Sequence, residues 1–324
     1  MNKIRWGIVG PGNMAHKFAD ALKILEDGVL CAVASRSEES AENFGEEYGI
    51  SKDNCYGCYE ELAKDVNIDA VYVALPNVFH KEISILFLQN GKAVLCEKPI
   101  AMNEQETREV IKVARDNKMF FMEAMWSRFL PIYEKISSWI DHGLIGEVRM
   151  FQGDFGISRY LSPGGLKLNP ALGGGALLDI GIYPVSLCHY LFNEIPSGVK
   201  SIASIGETGV DVQTSVNLGF VSGKVAAICC SLNAVTPGLG HIMGTKGRII
   251  LPQYWKCESA VLCCDGKEEE VNIPHKCNGY EFEIQEVMNC IKSGKLESDR
   301  MKWNESIEVM HTIDLIKAQW NISK

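Results

Sequence analysis

The sequence predicts an α/β chain of two domains. A doubly wound, mainly parallel sheet spans residues 1–122, and an α+β domain with a large open, mainly antiparallel sheet spans 123–324. Three observations carry this reading. In the first third, short apolar runs alternate with helical patterns, as they do when parallel strands are covered by helices on both faces. A glycine-rich turn joins the first apolar run to the first helical pattern. After about residue 123 the β-like runs are separated by glycine-containing turns rather than helices, which suits antiparallel pairing.

Taken in order, residues 4–9 are an apolar run stopped by Gly10, Pro11 and Gly12. Met14, Phe18, Leu22 and Leu25 then recur every three or four positions, so a strand, a tight turn and a helix follow one another. Residues 29–34 form a second strand, 38–48 a polar-faced helix, and 70–75 a third, continuously apolar strand. A helix over 78–89 ends at Asn90 and Gly91, and strands at 93–96 and 119–122 flank a helix at 104–116. Beyond residue 123, β-like runs fall at 148–155, 200–205, 212–220, 224–232, 248–251 and 260–264, with helices at 132–141, 176–192 and 281–291. A last helix over 304–320 is expected to pack back on the first domain.

Composition narrows the function classes. Hydrophobic residues make up 46% and charged residues 23%, the values of an ordinary globular protein. A formal charge of −9 offers no basic field for nucleic acid or anionic lipid, so neither a nucleic-acid nor a membrane partner is expected. No apolar stretch approaches the roughly 18 residues of a membrane span, and twelve dispersed cysteines without a secretory leader read as reduced thiols of a cytoplasmic protein. Cys55 and Cys58 form a lone CxxC without a second pair at zinc-ligand spacing, so no metal site is expected. GxSxG, P-loop and HExxH patterns are absent.

Gly10-Pro11-Gly12-Asn13-Met14-Ala15 matches the GxGxxG/A dinucleotide fingerprint at a strand-to-helix turn, the context that gives the motif mechanical meaning. Gly10 permits the turn, Gly12 lets the backbone approach a pyrophosphate, and the helix-start amides of Asn13 and Met14 face the anion. The first domain is therefore read as a Rossmann domain, against the alternative of a plain glycine turn. At the end of the second strand an acidic residue would hold the ribose 2′-hydroxyl of NAD, but Ser35-Arg36-Ser37 stands there. A guanidinium flanked by hydroxyls suits a 2′-phosphate, which favours NADP while leaving NAD open. The bland alternative is a solvated surface arginine.

Cys96-Glu97-Lys98-Pro99, preceded by Ala74-Leu75-Pro76-Asn77 and His80, resembles the Gfo/Idh/MocA oxidoreductase family. The segments Glu123-Ala124-Met125-Trp126-Ser127-Arg128-Phe129 and 173–184 resemble its branch of dihydrodiol and NADP-dependent D-xylose dehydrogenases. The resemblance implies cofactor contacts at Leu75, Pro76, Asn77, His80, Glu97 and Lys98. It also implies catalytic roles for Lys98 and Tyr183, with Asp179 as a third polar member. Trp126 and Arg128 are expected beside the nicotinamide. Trp126, Phe155, Ile157, Asp179 and Tyr183 are expected around the substrate, with Arg159 at a polar rim.

The residues themselves agree with these assignments. Asp179 and Tyr183 are four apart, so on a helix they share a face that continues to Ser186 and Tyr190. Lys98 ends a parallel strand, where open α/β sheets place their ligands. Hydride transfer at a carbinol carbon needs a general acid/base for the attached oxygen, and an ammonium near a phenol favours the phenolate. Either Tyr183 moves the proton with Lys98 as electrostatic partner, or Lys98 moves it while Tyr183 orients the oxygen. The expected protein is a dehydrogenase or reductase acting with NADP on a sugar, polyol or trans-diol. It is expected as a homodimer or higher oligomer through the second sheet, where Val212, Val216, Leu218 and Phe220 alternate with polar positions. The alternative is a catalytically silent NADP-binding regulatory or interaction protein on the same fold.

Overall fold

The computed structural model describes residues 3–158, 162 and 164–320. They form two compact units. One holds the chain as far as Phe129 and again from His275 to Ser306, and the other holds Leu130–Pro274 and the chain from Ile307 onward.

In the first unit, β1 (Ile4–Val9), α1 (Asn13–Lys23), β2 (Gly28–Ala34) and α2 (Glu38–Tyr48) are followed by β3 (Cys55–Tyr56), α3 (Tyr59–Lys64) and β4 (Ala70–Val73). Then come α4 (His80–Gln89), β5 (Ala93–Glu97), α5 (Glu104–Asp116) and β6 (Phe121–Ala124). The strands lie in the order β3-β2-β1-β4-β5-β6 and every pairing is parallel. This is the doubly wound order in which chain direction across the sheet reverses between β1 and β4, leaving a crevice beyond their carboxyl ends. Every residue of β4 and β5 is buried, which is why their apolar runs are unbroken. Ser37 caps α2 by accepting the Ser40 amide at 3.3 Å, and Asn103 caps α5 by accepting the Glu106 amide at 2.9 Å.

Two departures from the sequence reading have local causes. The sixth strand begins at Phe121 rather than 119 because α5 ends through Asn117 and Lys118, the latter at φ 53°, and the chain regains the sheet only afterwards. The edge strand β3 is two residues long and leaves no periodic signal.

The second unit contains α6 (Ile132–Asp141), β7 (Val148–Gly156), α7 (Ile182–Phe192), β8 (Gly198–Ile205), β9 (Asp211–Gly219) and β10 (Val225–Ser231). It continues through β11 (Leu239–Gly244), β12 (Gly247–Pro252), β13 (Ser259–Cys264) and β14 (Lys267–Asn272). Its sheet runs β14-β13-β12-β11-β7-β10-β9-β8, with β7 and β10 parallel and the other pairs antiparallel. Along β9, Thr214, Val216 and Leu218 are buried while Ser215 and Asn217 are exposed, the alternation of a sheet with one covered face.

The segment that rejoins the first unit, His275–Ser306, includes the first turn of the terminal helix, where Trp303 Nε1 donates to the Phe121 carbonyl and Ser306 to Glu123. It carries α8 (Tyr280–Lys292), which packs on α1, whereas α9 (Trp303–Lys317) groups with the second unit from Ile307 onward. The expectation about apolar stretches is also corrected. Pro170–Phe192, 23 residues, is long and apolar enough to cross a membrane by length and composition, yet 78% of its most apolar window is buried inside the structure. A helix that is apolar all round is the core helix of its unit.

Candidate active site

The fingerprint turn fits its predicted task. Gly10 has φ +88°, and a Cβ there would lie 2.8 Å from the Ala74 carbonyl oxygen and 2.6 Å from Leu75 Cδ2, so only glycine lets the ends of β1 and β4 approach. A Cβ on Gly12 would meet nothing within 4 Å, so the surface over this residue is open to a ligand. Ala15 is fully buried. The α1 N-terminus carries no acidic residue in its first turn, so its orphan amides and the helix dipole are free to face an anion.

Beside this turn lies a cavity of about 430 Å³, lined by Arg36, Tyr59, Leu75, Pro76 and Phe79 among others. The Arg36 guanidinium stands 5.7 Å from the Phe79 ring centroid. Burial raises the pKa of the Tyr59 hydroxyl, and Arg36 opposes that shift by charge and hydrogen bonding. Ser35 Oγ accepts the Ser37 amide at 3.3 Å and Ser37 Oγ accepts that of Ser40, which leaves each O–H as a donor. Glu60 and Glu82 also line the cavity, so Arg36 is its cationic member. The residues present fit a dinucleotide whose adenosine end bears a 2′-phosphate. Tyr59 and Phe79 are absent from the sequence-derived site. Phe79 sits one position before His80 in the motif already noted, whereas Tyr59 leaves no comparable signal.

The Glu97-Lys98 segment is held from several sides. Buried His80 places Nε2 2.7 Å from the Leu75 carbonyl oxygen and Nδ1 2.7 Å from that of Pro99, tying the chain after β4 to the chain after β5. Burial, helped by Lys98, lowers the His80 pKa despite the two carbonyls. The carboxylate of Glu97 accepts the Tyr72 hydroxyl and, at 3.2 Å, the Lys98 amide, while burial pushes its pKa up. Buried Glu123, the first residue of the Glu123–Phe129 motif segment, accepts the Ile100 amide at 3.0 Å and the Ser306 hydroxyl at 2.7 Å. Lys98 itself is half-buried, and the Lys98–Pro99 peptide is cis.

Trp126 is buried and stacks on Tyr280 with centroids 4.7 Å apart and planes 11° apart. Gly279, at φ +94°, is required beneath this pair because a Cβ would come within 2.7 Å of Trp126. The Arg128 guanidinium is buried and bonds Glu305 at 2.6 Å, so it fixes the 126–129 turn within its own unit.

In the second unit, Leu177–Gly181 forms a π-helical turn ahead of α7, a feature often found at functional sites. It is anchored by Asp211, which accepts the Leu177 amide at 2.7 Å and the Thr214 hydroxyl at 2.9 Å. The Asp179 carboxylate forms an ion pair with Lys167, a partner that sequence spacing does not signal. Tyr183 is buried, with its ring 6.0 Å from that of Phe155, which stacks on Trp255 at 3.5 Å and 8°. Further along the helix, Ser186 is buried and the Tyr190 hydroxyl lies 2.8 Å from Ser137 Oγ. Ile157 is half-buried and donates its amide to the Ser231 carbonyl at 2.9 Å. Arg159 lies outside the described residues. Thus Gly10 to Met14, Arg36, Leu75 to His80, Glu97, Lys98, Trp126 and Arg128 belong to the first unit, and Phe155, Ile157, Asp179 and Tyr183 to the second.

Burial raises the Cys55 thiol pKa, and Cys58 lines the 430 Å³ cavity. Among the described residues no group of three or more His, Cys, Asp or Glu could hold a metal ion.

Comparison with known proteins shows the family and the fold. Residues 4–125 match the model of an oxidoreductase family with an NAD-binding Rossmann fold, and residues 133–250 match the GFO/IDH/MocA C-terminal domain. The chain is 38% identical over 331 aligned residues to a trans-1,2-dihydrobenzene-1,2-diol dehydrogenase of Xenopus tropicalis, covering 98% of each chain. It is 34% identical to the human protein of that name, covering 94% of this chain and 92% of the other. In fold it is similar to an aldose-aldose oxidoreductase from Caulobacter crescentus complexed with glycerol (TM-score 0.91, 24% identity, 98% and 97% of the two chains covered). It is also similar to a 3-ketoreductase from Actinomadura kijaniata in complex with NADP and TDP-benzene (TM-score 0.87, 24% identity, 98% of each chain covered). With both domains matched and close relatives spanning almost its whole length, the chain belongs to the Gfo/Idh/MocA family of NAD(P)-dependent oxidoreductases.

Proposed function

We propose that the protein uses NADP in preference to NAD and interconverts a CH–OH and a C=O carbon of a sugar, polyol or trans-diol. The observation that carries the cofactor choice is the Arg36 guanidinium in the cavity beside the fingerprint turn, at the position where an acidic residue would favour NAD. The substrate class is supported by relatives named dihydrobenzenediol dehydrogenases at 34–38% identity, and by fold neighbours whose names refer to aldoses and to a ketoreductase.

When bound, the cofactor supplies or accepts the hydride. Gly10, Gly12, Asn13 and Met14 offer backbone to its pyrophosphate, Ser35 and Arg36 hold its 2′-phosphate, and Leu75 to Asn77 with His80 shape the sheet edge beneath it. Glu97 fixes the backbone of Lys98, and Trp126 presents an apolar face stacked on Tyr280. Arg128, paired with Glu305, steadies that turn from below. Lys98 and Tyr183 carry the proton of the substrate oxygen, and Asp179, its charge balanced by Lys167, sets the electrostatics one turn before Tyr183. Phe155 and Ile157 supply apolar substrate surface.

The reading extends to a cytoplasmic homodimer without nucleic-acid or membrane partners, supported by the net charge of −9 and by twelve free cysteines. The sheet face bearing exposed Ile202 and Val225 is the proposed contact. An NADP-linked absorbance screen over aldoses, inositols, deoxysugars and trans-diols tests the activity, and the solution mass of the wild type and of Ile202→Asp tests the dimer. Failure to turn over any member of the panel contradicts the substrate class. A monomeric wild type contradicts the assembly.

A further inference from the structure

Glu283, on α8, is fully buried, and neither of its carboxyl oxygens has a hydrogen-bond partner. An isolated carboxylate in that position would carry a large desolvation cost, so burial favours the neutral acid. Its charged neighbour is Glu97 on β5, and the Tyr72 hydroxyl on β4 feels both carboxyls. Glu97 differs from Glu283 in being served. It accepts the Tyr72 hydroxyl and the Lys98 amide, and the ammonium groups of Lys98 and of Lys17 on α1 favour its charge. The other charged groups around α8 are committed elsewhere. Glu281 is occupied by the amides of residues 276–279, and Arg128 on the 126–129 turn by Glu305. Two buried carboxyls in mutual range titrate as a pair rather than as two independent acids.

We infer that Glu97 and Glu283 together hold one proton, and that this proton is released when oxidised cofactor binds and kept when reduced cofactor binds. The inference rests on the proposed cofactor site. If Lys98 serves the reacting carbon, that carbon must touch the nicotinamide, and Glu97, joined to the Lys98 amide, then lies in the field of the ring. The oxidised ring is cationic and the reduced ring neutral. A cation arriving beside the pair lowers its proton affinity, and the displaced proton goes to solvent. By reciprocity, affinity for NADP⁺ rises with pH across the pair's titration range, with a limiting slope of about one decade per pH unit, while affinity for NADPH does not share that slope.

Calorimetric titration with NADP⁺ and with NADPH, each in two buffers of different ionisation enthalpy, counts the protons exchanged. The wild type is expected to release more protons with NADP⁺ than with NADPH, the excess being at most one proton and largest within the pair's titration range. Glu283→Gln is expected to remove that excess. The cofactor's own 2′-phosphate contributes equally to both proteins and cancels in the comparison. Infrared difference spectra of the wild type give a second readout that needs no variant. The carbonyl band of a protonated carboxylic acid should diminish on adding NADP⁺ and persist with NADPH. Equal proton release for the two nucleotides, or an unchanged acid band, overturns the inference while leaving the cofactor site standing. Failure of either nucleotide to bind overturns the cofactor site and this inference with it.

Discussion

The Arg36 guanidinium lies 5.7 Å from the centroid of the Phe79 ring, so the side chain proposed to select the nucleotide phosphate packs against an aromatic ring in the turn just before α4. Arg36→Glu reverses the charge and discards this contact. NADP affinity is expected to fall by about ten- to hundredfold, the scale of one charge-assisted hydrogen bond, with a much smaller change for NAD. Fluorescence titrations with both nucleotides check this, and an equal loss for both would assign Arg36 a general rather than a selective role. Phe79→Ala should weaken NADP in the same direction by less.

Gly10→Ala tests the turn. The added Cβ must occupy a φ of +88° and lie 2.8 Å from the Ala74 carbonyl oxygen, so the expected destabilisation is about 1–3 kcal/mol with loss of nucleotide binding. Urea unfolding with and without NADP measures both effects. A variant of wild-type stability that still binds would show that the ends of β1 and β4 separate easily.

Much of this was legible in the sequence because the residues that set it are local. The strand Ile4–Val9 and the helices Glu38–Tyr48, Glu104–Asp116 and Ile132–Asp141 coincide with the periodicity that predicts them, since each is an apolar run or an amphipathic stretch, and Ser37 and Asn103 cap the first two helices. β14, Lys-Glu-Glu-Glu-Val-Asn, escaped because an edge strand with nearly every side chain in water carries no apolar alternation. β11 contains two glycines and a histidine in six residues and reads as turn. The π turn at Leu177–Gly181 has no sequence mark, because it changes hydrogen-bond span rather than residue type. At the site, glycines and motif residues were readable. Tyr59, Lys167 and Tyr280 were not, because their partners Arg36, Asp179 and Trp126 are brought to them by folding.

Tyr183→Phe keeps the ring beside Phe155 and removes the hydroxyl, so folding and NADPH binding should persist while turnover falls by about 10²- to 10⁴-fold, the usual share of a general acid/base. Lys98→Ala should lose at least as much. If the two act as one unit, the double variant will lose less than the product of the single losses. Steady-state rates with deuterated NADPH, which shows whether hydride transfer limits turnover, decide the matter. Unchanged turnover in Tyr183→Phe would leave Lys98 as the proton carrier.

The buried carboxyls of Glu97, Glu123 and Glu283 are all pushed above the usual glutamate range, by burial first in each case. A carboxyl whose folded pKa lies above its unfolded one contributes stability that is fully present below the unfolded value of 4.5 and is lost as pH rises through the folded value. Glu283→Gln removes one such group. Its stability relative to the wild type should therefore improve as pH rises above that value, which urea midpoints at a series of pH values will report. A difference independent of pH would mean that Glu283 is ionised and hydrated in the folded protein.

The most direct test of an NADP-dependent oxidoreductase on this fold is isotope transfer. The protein would be incubated with NADPH deuterated at the reactive position and a panel of sugar and diol carbonyls, with products read by mass spectrometry. The account predicts one deuterium retained at the new carbinol carbon of at least one product, and its loss in Lys98→Ala. NADPH that binds tightly yet transfers no deuterium to any member of the panel would contradict it and leave a nucleotide-binding protein without this chemistry.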